Sequence, residues 1–129
     1  MLRRSTLLFV AVSFLILAGC RGAPIYDVVG APVATGTKPA TMESVQQAIL
    51  MSGTSLGWKM EPKSPGLITG VLDLRTHHAV VDITYDTKTY NIKYKDSTNL
   101  DYDGKNIHKN YNGWIENLDK AIRSNLAKT

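Results

Sequence analysis

The chain has one cysteine, Cys20, so no internal disulfide can form. It also has no long apolar run. The longest stretch, Leu7 to Ala18, covers about twelve residues, short of the ~20 that a spanning helix needs. Charge of one sign is scarce. The formal net charge is +4, but Arg3 and Arg4 fall in a segment read below as removed. Without residues 1–19, Lys+Arg drops from 15 to 13 against 11 Asp+Glu. The remaining charge of about +2 does not argue for a nucleic-acid partner. With 43% hydrophobic and 20% charged residues, ten Gly and five Pro, the composition excludes collagen-like, coiled-coil and wholly disordered chains. At 129 residues there is one domain at most.

What is there begins at the N-terminus. Met1 to Cys20 reads MLRRSTLLFVAVSFLILAGC. A basic start, a short apolar stretch and small residues before a cut fit a secretory signal peptide over residues 1–19. A buried helix would explain neither the paired arginines nor the missing polar face. Leu17-Ala18-Gly19-Cys20 resembles the bacterial lipobox over all four positions. That resemblance implies cleavage between Gly19 and Cys20 and a thioether-linked diacylglycerol on Cys20, usually with an acylated new N-terminus. One myristoyl chain binds membranes only at ~10⁴ M⁻¹, so two or three chains are what hold such a protein firmly. Arg21 follows the cysteine. Proteobacterial lipoproteins retained at the inner membrane carry an Asp there, so the resemblance implies an outer-membrane location on the periplasmic side.

Residues 20–40 read as a lipidated tether. Arg21 to Ala40 holds three prolines, three glycines and four alanines with little periodicity. A flexible segment of this length spans on the order of 25 Å. Ile25-Tyr26-Asp27-Val28-Val29 is apolar for a spacer; it either adds an edge strand or lies against the domain, or it belongs to the tether. The globular domain is expected over residues 41–129. Thr41 can cap a helix, Glu43 suits its first turn, and Val45, Ala48 and Ile49 form one stripe that Gly53 should end.

The period then changes to two. Leu56, Trp58 and Met60 alternate with Gly57, Lys59 and Glu61. Ser64-Pro65-Gly66-Leu67 carries the type II turn signature. Ile68, Leu72 and Leu74 fall on one strand face, with Thr69, Val71, Asp73 and Arg75 on the other. Thr76-His77 can turn the chain. Ala79, Val81, Ile83 and Tyr85 mark a third strand, and Tyr90, Ile92 and Tyr94 a fourth. Short connections favour an antiparallel meander. Ile115, Leu118, Ile122 and Leu126 then trace a helical stripe that Asn112 can cap, with Trp114 and Ala121 beside it. The fold class expected is α+β: a two-layer domain with a four-stranded antiparallel meander, an N-terminal and a C-terminal helix packed on one sheet face.

Several short stretches share a wider pattern. They are Gly57-Trp58, Pro65-Gly66-Leu67-Ile68, Val81-Asp82-Ile83-Thr84-Tyr85, Tyr90-Asn91-Ile92-Lys93-Tyr94, Asp96-Ser97-Thr98-Asn99-Leu100 and Ile107 through Ile115. Together with the lipobox they are similar to a family of short, uncharacterised proteobacterial outer-membrane lipoproteins. The resemblance spans nearly all of the mature chain and implies fold and location, but no activity and no catalytic residues.

Chemistry-bearing constellations are few. Asn99-Leu100-Asp101-Tyr102-Asp103-Gly104 matches the first half of a calcium loop, but position twelve holds Asn110 where a bidentate Glu is needed. His77 and His78 are adjacent on a strand and point to opposite faces, and no Cys or Glu stands at ligand spacing from His108. No metal site is expected. Ser97, His108 and Asp96 or Asp101 could be drawn as a triad, but no nucleophile elbow or oxyanion loop surrounds Ser97. Tyr94, Tyr102, His108, Tyr111 and Trp114 gather around the Asp96–Asn112 loop. Aromatic rings beside Asn and Asp suit sugar or peptide contacts. Tyr102, His108 and Tyr111 are therefore the candidate binding residues; in the alternative, the cluster only pins the loop to the sheet. Trp114 and Trp58 are expected in the sheet–helix layer.

The expectation is a non-enzymatic lipoprotein with no cofactor beyond the lipid on Cys20. Its partners would be the membrane, through that anchor, and an envelope protein or glycan, with no nucleic acid and no metal. The alternatives are a purely structural or accessory envelope lipoprotein and, less favoured, a small envelope hydrolase.

Overall fold

This computed structural model describes residues 22–129. The segment expected to be a signal peptide, the expected cleavage after Gly19 and the expected lipid attachment at Cys20 lie outside the described residues. The elements in chain order are β1 (Gly22–Pro24), β2 (Val28–Pro32), α1 (Met42–Ser55), β3 (Lys59–Ser64), β4 (Leu67–Leu74), β5 (His77–Tyr85), β6 (Thr89–Thr98), β7 (Asn106–His108) and α2 (Lys109–Ala127). β2 to β6 form one antiparallel sheet in the order β2-β6-β5-β4-β3, and β1 pairs with β7. The α+β class and the β3–β6 meander are as the sequence predicts. The sheet has five strands rather than four, with a second small sheet beside it.

The extra strands come from the stretch read as a tether. Val28 and Ala31 are both buried on β6, although they are three residues apart. A bulge makes this work: Val28 faces Ile92 while Ala31 faces Tyr90. Two-residue alternation therefore fails in β2, and its Gly30, Pro32 and length of five residues hide it further. The chain beyond β2 is strapped down too. Val33 N donates to Lys88 O at 2.8 Å, and Gly36 and Thr37 N donate to Thr129 O at 3.0 and 3.1 Å. The ordered fold thus reaches back to Gly22, not Thr41.

Thr41 caps α1 as expected. Its hydroxyl accepts from Ser44 N, and Ser44 Oγ accepts from Thr41 N, a reciprocal capping box. Gly53 does not stop the helix. It lies inside α1 where Met60 crosses so closely that a Cβ would meet its thioether. The helix ends at Ser55, and Gly57, at φ +88°, turns the chain in the left-handed region. Leu56 consequently belongs to the helix end, and β3 begins at Lys59. Gly66, at φ +83°, closes the turn from β3 to β4 as a type II turn requires. The next reversal uses Arg75-Thr76, with Arg75 at φ +57°, so His77 is the first residue of β5 rather than part of the turn.

Ile68, Leu72, Ala79, Val81, Ile83 and Tyr90 face the two helices and are buried. Leu74, at the strand end, is 44% exposed instead. α2 buries Ile115, Leu118, Ile122 and Leu126, the stripe read from the sequence, together with Tyr111 and Asp119. Its cap is His108, whose Nδ1 accepts from Asn110 N at 3.1 Å, not Asn112. Asn112 instead ties down the N-terminal segment: its Nδ2 donates to Pro24 O and its Oδ1 accepts from Tyr26 N, both at 2.9 Å.

Two polar links fix α2 to its neighbours. Tyr90 Oη donates to Asp119 Oδ1 at 2.5 Å, and Arg123 Nε donates to Asp119 Oδ2 at 3.1 Å. Asn125 Nδ2 donates to Ser52 Oγ at 2.8 Å, joining the C-terminal parts of the two helices. Trp58 is 4% exposed and Trp114 is half-buried, and both border one small dimple with Leu56 and Leu72. Both indoles therefore meet the sheet–helix layer, Trp58 more fully. No helix among the described residues is long and apolar enough to cross a membrane.

Candidate functional site

The loop from β6 to β7 carries the candidate residues, and its shape is set by three anchors. Asn99 and Asp101 adopt left-handed backbone at φ +61° and +52°, which Asn and Asp tolerate. Asn99 reaches the β4–β5 turn: its Nδ2 donates to Thr76 Oγ1 at 2.9 Å, and its carbonyl bonds His77 Nδ1 at 2.8 Å. Leu100 is buried, and its carbonyl accepts from His108 N at 2.8 Å. Asp103 Oδ1 accepts from Lys105 N and Asn106 N at 2.9 and 2.7 Å, an Asx turn. Those backbone donors hold the Asp103 carboxyl below its usual range. The acidic loop residue thus shapes the turn that feeds β7. No group of three His, Cys, Asp or Glu side chains among the described residues is placed to hold a metal ion.

The aromatic residues separate into two groups. Tyr94 lies at the centre of the first. Tyr102 stacks on it with centroids 4.1 Å apart and planes at 30°, and Tyr111 meets it edge-on at 5.8 Å and 72°. Tyr102 is 41% exposed, so its outer face is open. Tyr111 has no exposed surface, which corrects its place among the ligand contacts: it supports Tyr94 from within the core. Its hydroxyl is buried without a hydrogen-bond partner, and burial pushes its ionisation well above the ordinary tyrosine value. Tyr94 is also raised, chiefly by burial.

The second group contains His108. Its ring lies 5.8 Å from that of His77, which in turn lies 6.1 Å from Trp114. The structure therefore brings Tyr102 and Tyr111 together through Tyr94 and puts His108 in the other group. The paper triad is not assembled. Ser97 Oγ bonds Tyr94 Oη at 2.8 Å, while His108 Nδ1 caps α2. His78 turns to the opposite sheet face from His77 and bonds Asp73.

Beside Tyr102 a shallow cleft of about 480 Å³ is lined by Tyr94, Lys95, Asp96, Ser97, Asn99, Leu100 and Asp101. Its walls are more polar than apolar, an aromatic platform ringed by carboxylates, an ammonium, an amide and a hydroxyl. Sequence reasoning missed Asn99 and Leu100 as the residues that fix this cleft. The signal available was the Asn-Leu-Asp run itself, read there as turn chemistry.

The described residues form a two-layer α+β domain with an aromatic-floored polar cleft at one sheet end. No family model, curated protein or solved structure matches the chain.

Proposed function

We propose that this chain is a lipoprotein anchored through Cys20 to the outer membrane, facing the periplasm, and that its domain binds an envelope component without chemical turnover. The observation that carries the reading is Leu17-Ala18-Gly19-Cys20 behind a basic, apolar leader. Arg21 in place of a retention Asp supports the outer-membrane assignment. The binding role is supported by Tyr102, which stacks on Tyr94, is 41% exposed and lines one cleft with Asn99 and Asp101. A ring backed by another ring loses little side-chain entropy when a sugar or peptide plane stacks on it, and the flanking polar groups set its orientation.

Metabolic labelling with radioactive palmitate tests the anchor: the wild type takes label and Cys20→Ser does not. A titration with soluble peptidoglycan fragments, followed by amide chemical shifts, tests the cleft. Shifts confined to Tyr102, Asn99 and Asp101 support it. The burial of Tyr111 and Leu100 beneath the loop favours one alternative, an accessory lipoprotein whose aromatic cluster only braces the sheet. That alternative predicts no shift in the titration.

A further inference from the structure

From Gly22 onward the segment expected as a tether is tied to the domain, which has a geometric consequence for a chain anchored at Cys20. Gly22 is already strand β1, paired with His108. The pairing is locked farther on by Ile25 N donating to Lys105 O at 2.9 Å and by Asn112 bonding Pro24 and Tyr26. Cys20 and Gly22 are two residues apart, a reach of at most ~7 Å for fully extended chain. An acyl chain on Cys20 therefore brings the Gly22 end of the domain to the headgroups themselves.

That end has a distinctive surface. His108, the partner of Gly22, lies against His77, and His77 lies against Trp114. His77 pairs across the hairpin with Leu74, which is 44% exposed, and the exposed Arg75 follows at the turn. Leu56, 41% exposed, lies beside Trp114 across the dimple. Half-buried Trp and His flanked by exposed Leu and Arg is the composition of a membrane–water interface: rings at headgroup depth, leucines below, guanidinium among phosphates. Asp73, the residue before Leu74, also lies near this end, and it is engaged by His78.

We propose that this face, built from Leu56, Leu74, Arg75, His77, His108 and Trp114, is seated on the phospholipid bilayer that carries the anchor. It rests on the reading of Cys20 as the lipidated residue. Seating fixes the orientation of the domain. β4 runs away from the membrane, and its far end, near Ser64, stands about 23 Å higher from seven strand steps of ~3.3 Å.

The test uses the full lipidated chain in vesicles of phosphatidylethanolamine and phosphatidylglycerol bearing a nitroxide on the headgroup. Cys20 is the only cysteine and is blocked by its lipid, so one introduced thiol takes a fluorophore alone. Leu74→Cys and Ser64→Cys are compared, with Leu56→Cys as a second membrane-side position. Quenching severalfold stronger at positions 74 and 56 than at 64 is the expected result. Equal quenching, or stronger quenching at 64, in a protein that floats with the vesicles overturns the seating and leaves the anchor intact. A chain that carries no lipid mass and does not float overturns both.

Discussion

Replacing Tyr111 by Phe removes one oxygen from the interior. That oxygen is fully buried and lacks a hydrogen-bond partner, whereas the equally buried Tyr90 donates to Asp119 at 2.5 Å. The two hydroxyls should therefore act with opposite sign. A hydroxyl buried without a bond costs ~1–3 kcal/mol by protein mutational data, and Tyr111→Phe relieves that cost while keeping the ring that braces Tyr94. A gain of ~1 kcal/mol raises the melting temperature by roughly 4 °C in a domain of this size. Tyr90→Phe loses a hydrogen bond to a charged group, about 1.5–3 kcal/mol, and leaves Asp119 with Arg123 alone. Thermal melts and urea titrations at neutral pH of the wild type and both variants give the answer directly. The reasoning is refuted if Tyr111→Phe destabilises the protein as much as Tyr90→Phe does, because its hydroxyl would then be bonded in the folded state.

Three further outcomes follow from the same interior. A fragment beginning at residue 41 loses Val28 and Ala31 from the sheet edge and uncovers Tyr90, Ile92 and Ile107; it should unfold at lower urea than one beginning at residue 22, and equal midpoints would contradict the role given to β1 and β2. Trp58→Ala should cost ~3–5 kcal/mol, the usual range for a buried Trp, and the half-buried Trp114 distinctly less, read from paired denaturation midpoints. Burial raises Tyr90 and Tyr111 above the ordinary value of 10.0, so the folded chain keeps both protons where the unfolded chain releases them. Stability is therefore insensitive to these two groups below pH 10 and declines as pH rises beyond it; absorbance of tyrosinate against pH should show both rings ionising only with unfolding.

The legible part of the fold was the part with one period per element. The α2 stripe and the inward residues of β5 repeat at helical or strand spacing over nine or more residues, and they are buried as read. β2 was hidden because its bulge separates its two buried residues by three positions. Gly53 resembled a helix stop, yet its lack of a side chain serves the Met60 crossing instead. Asn112 has the chemistry of a cap, but His108 takes that place and Asn112 bonds a strand nearly ninety residues earlier in the chain. Tyr102 and Tyr111 were rightly put in one neighbourhood, whereas their division into exposed platform and buried support depends on the phase of α2 against β6. Asp119 gave no sequence signal, because only Tyr90 and Arg123 together make a buried carboxylate tolerable there.

The most direct test of the account is the intact mass of the mature chain purified in detergent from bacterial envelopes. The account predicts a chain beginning at Cys20, lacking residues 1–19 and heavier by a diacylglycerol and an acyl group. A mature protein that retains residues 1–19, or one with an unmodified Cys20, would contradict it.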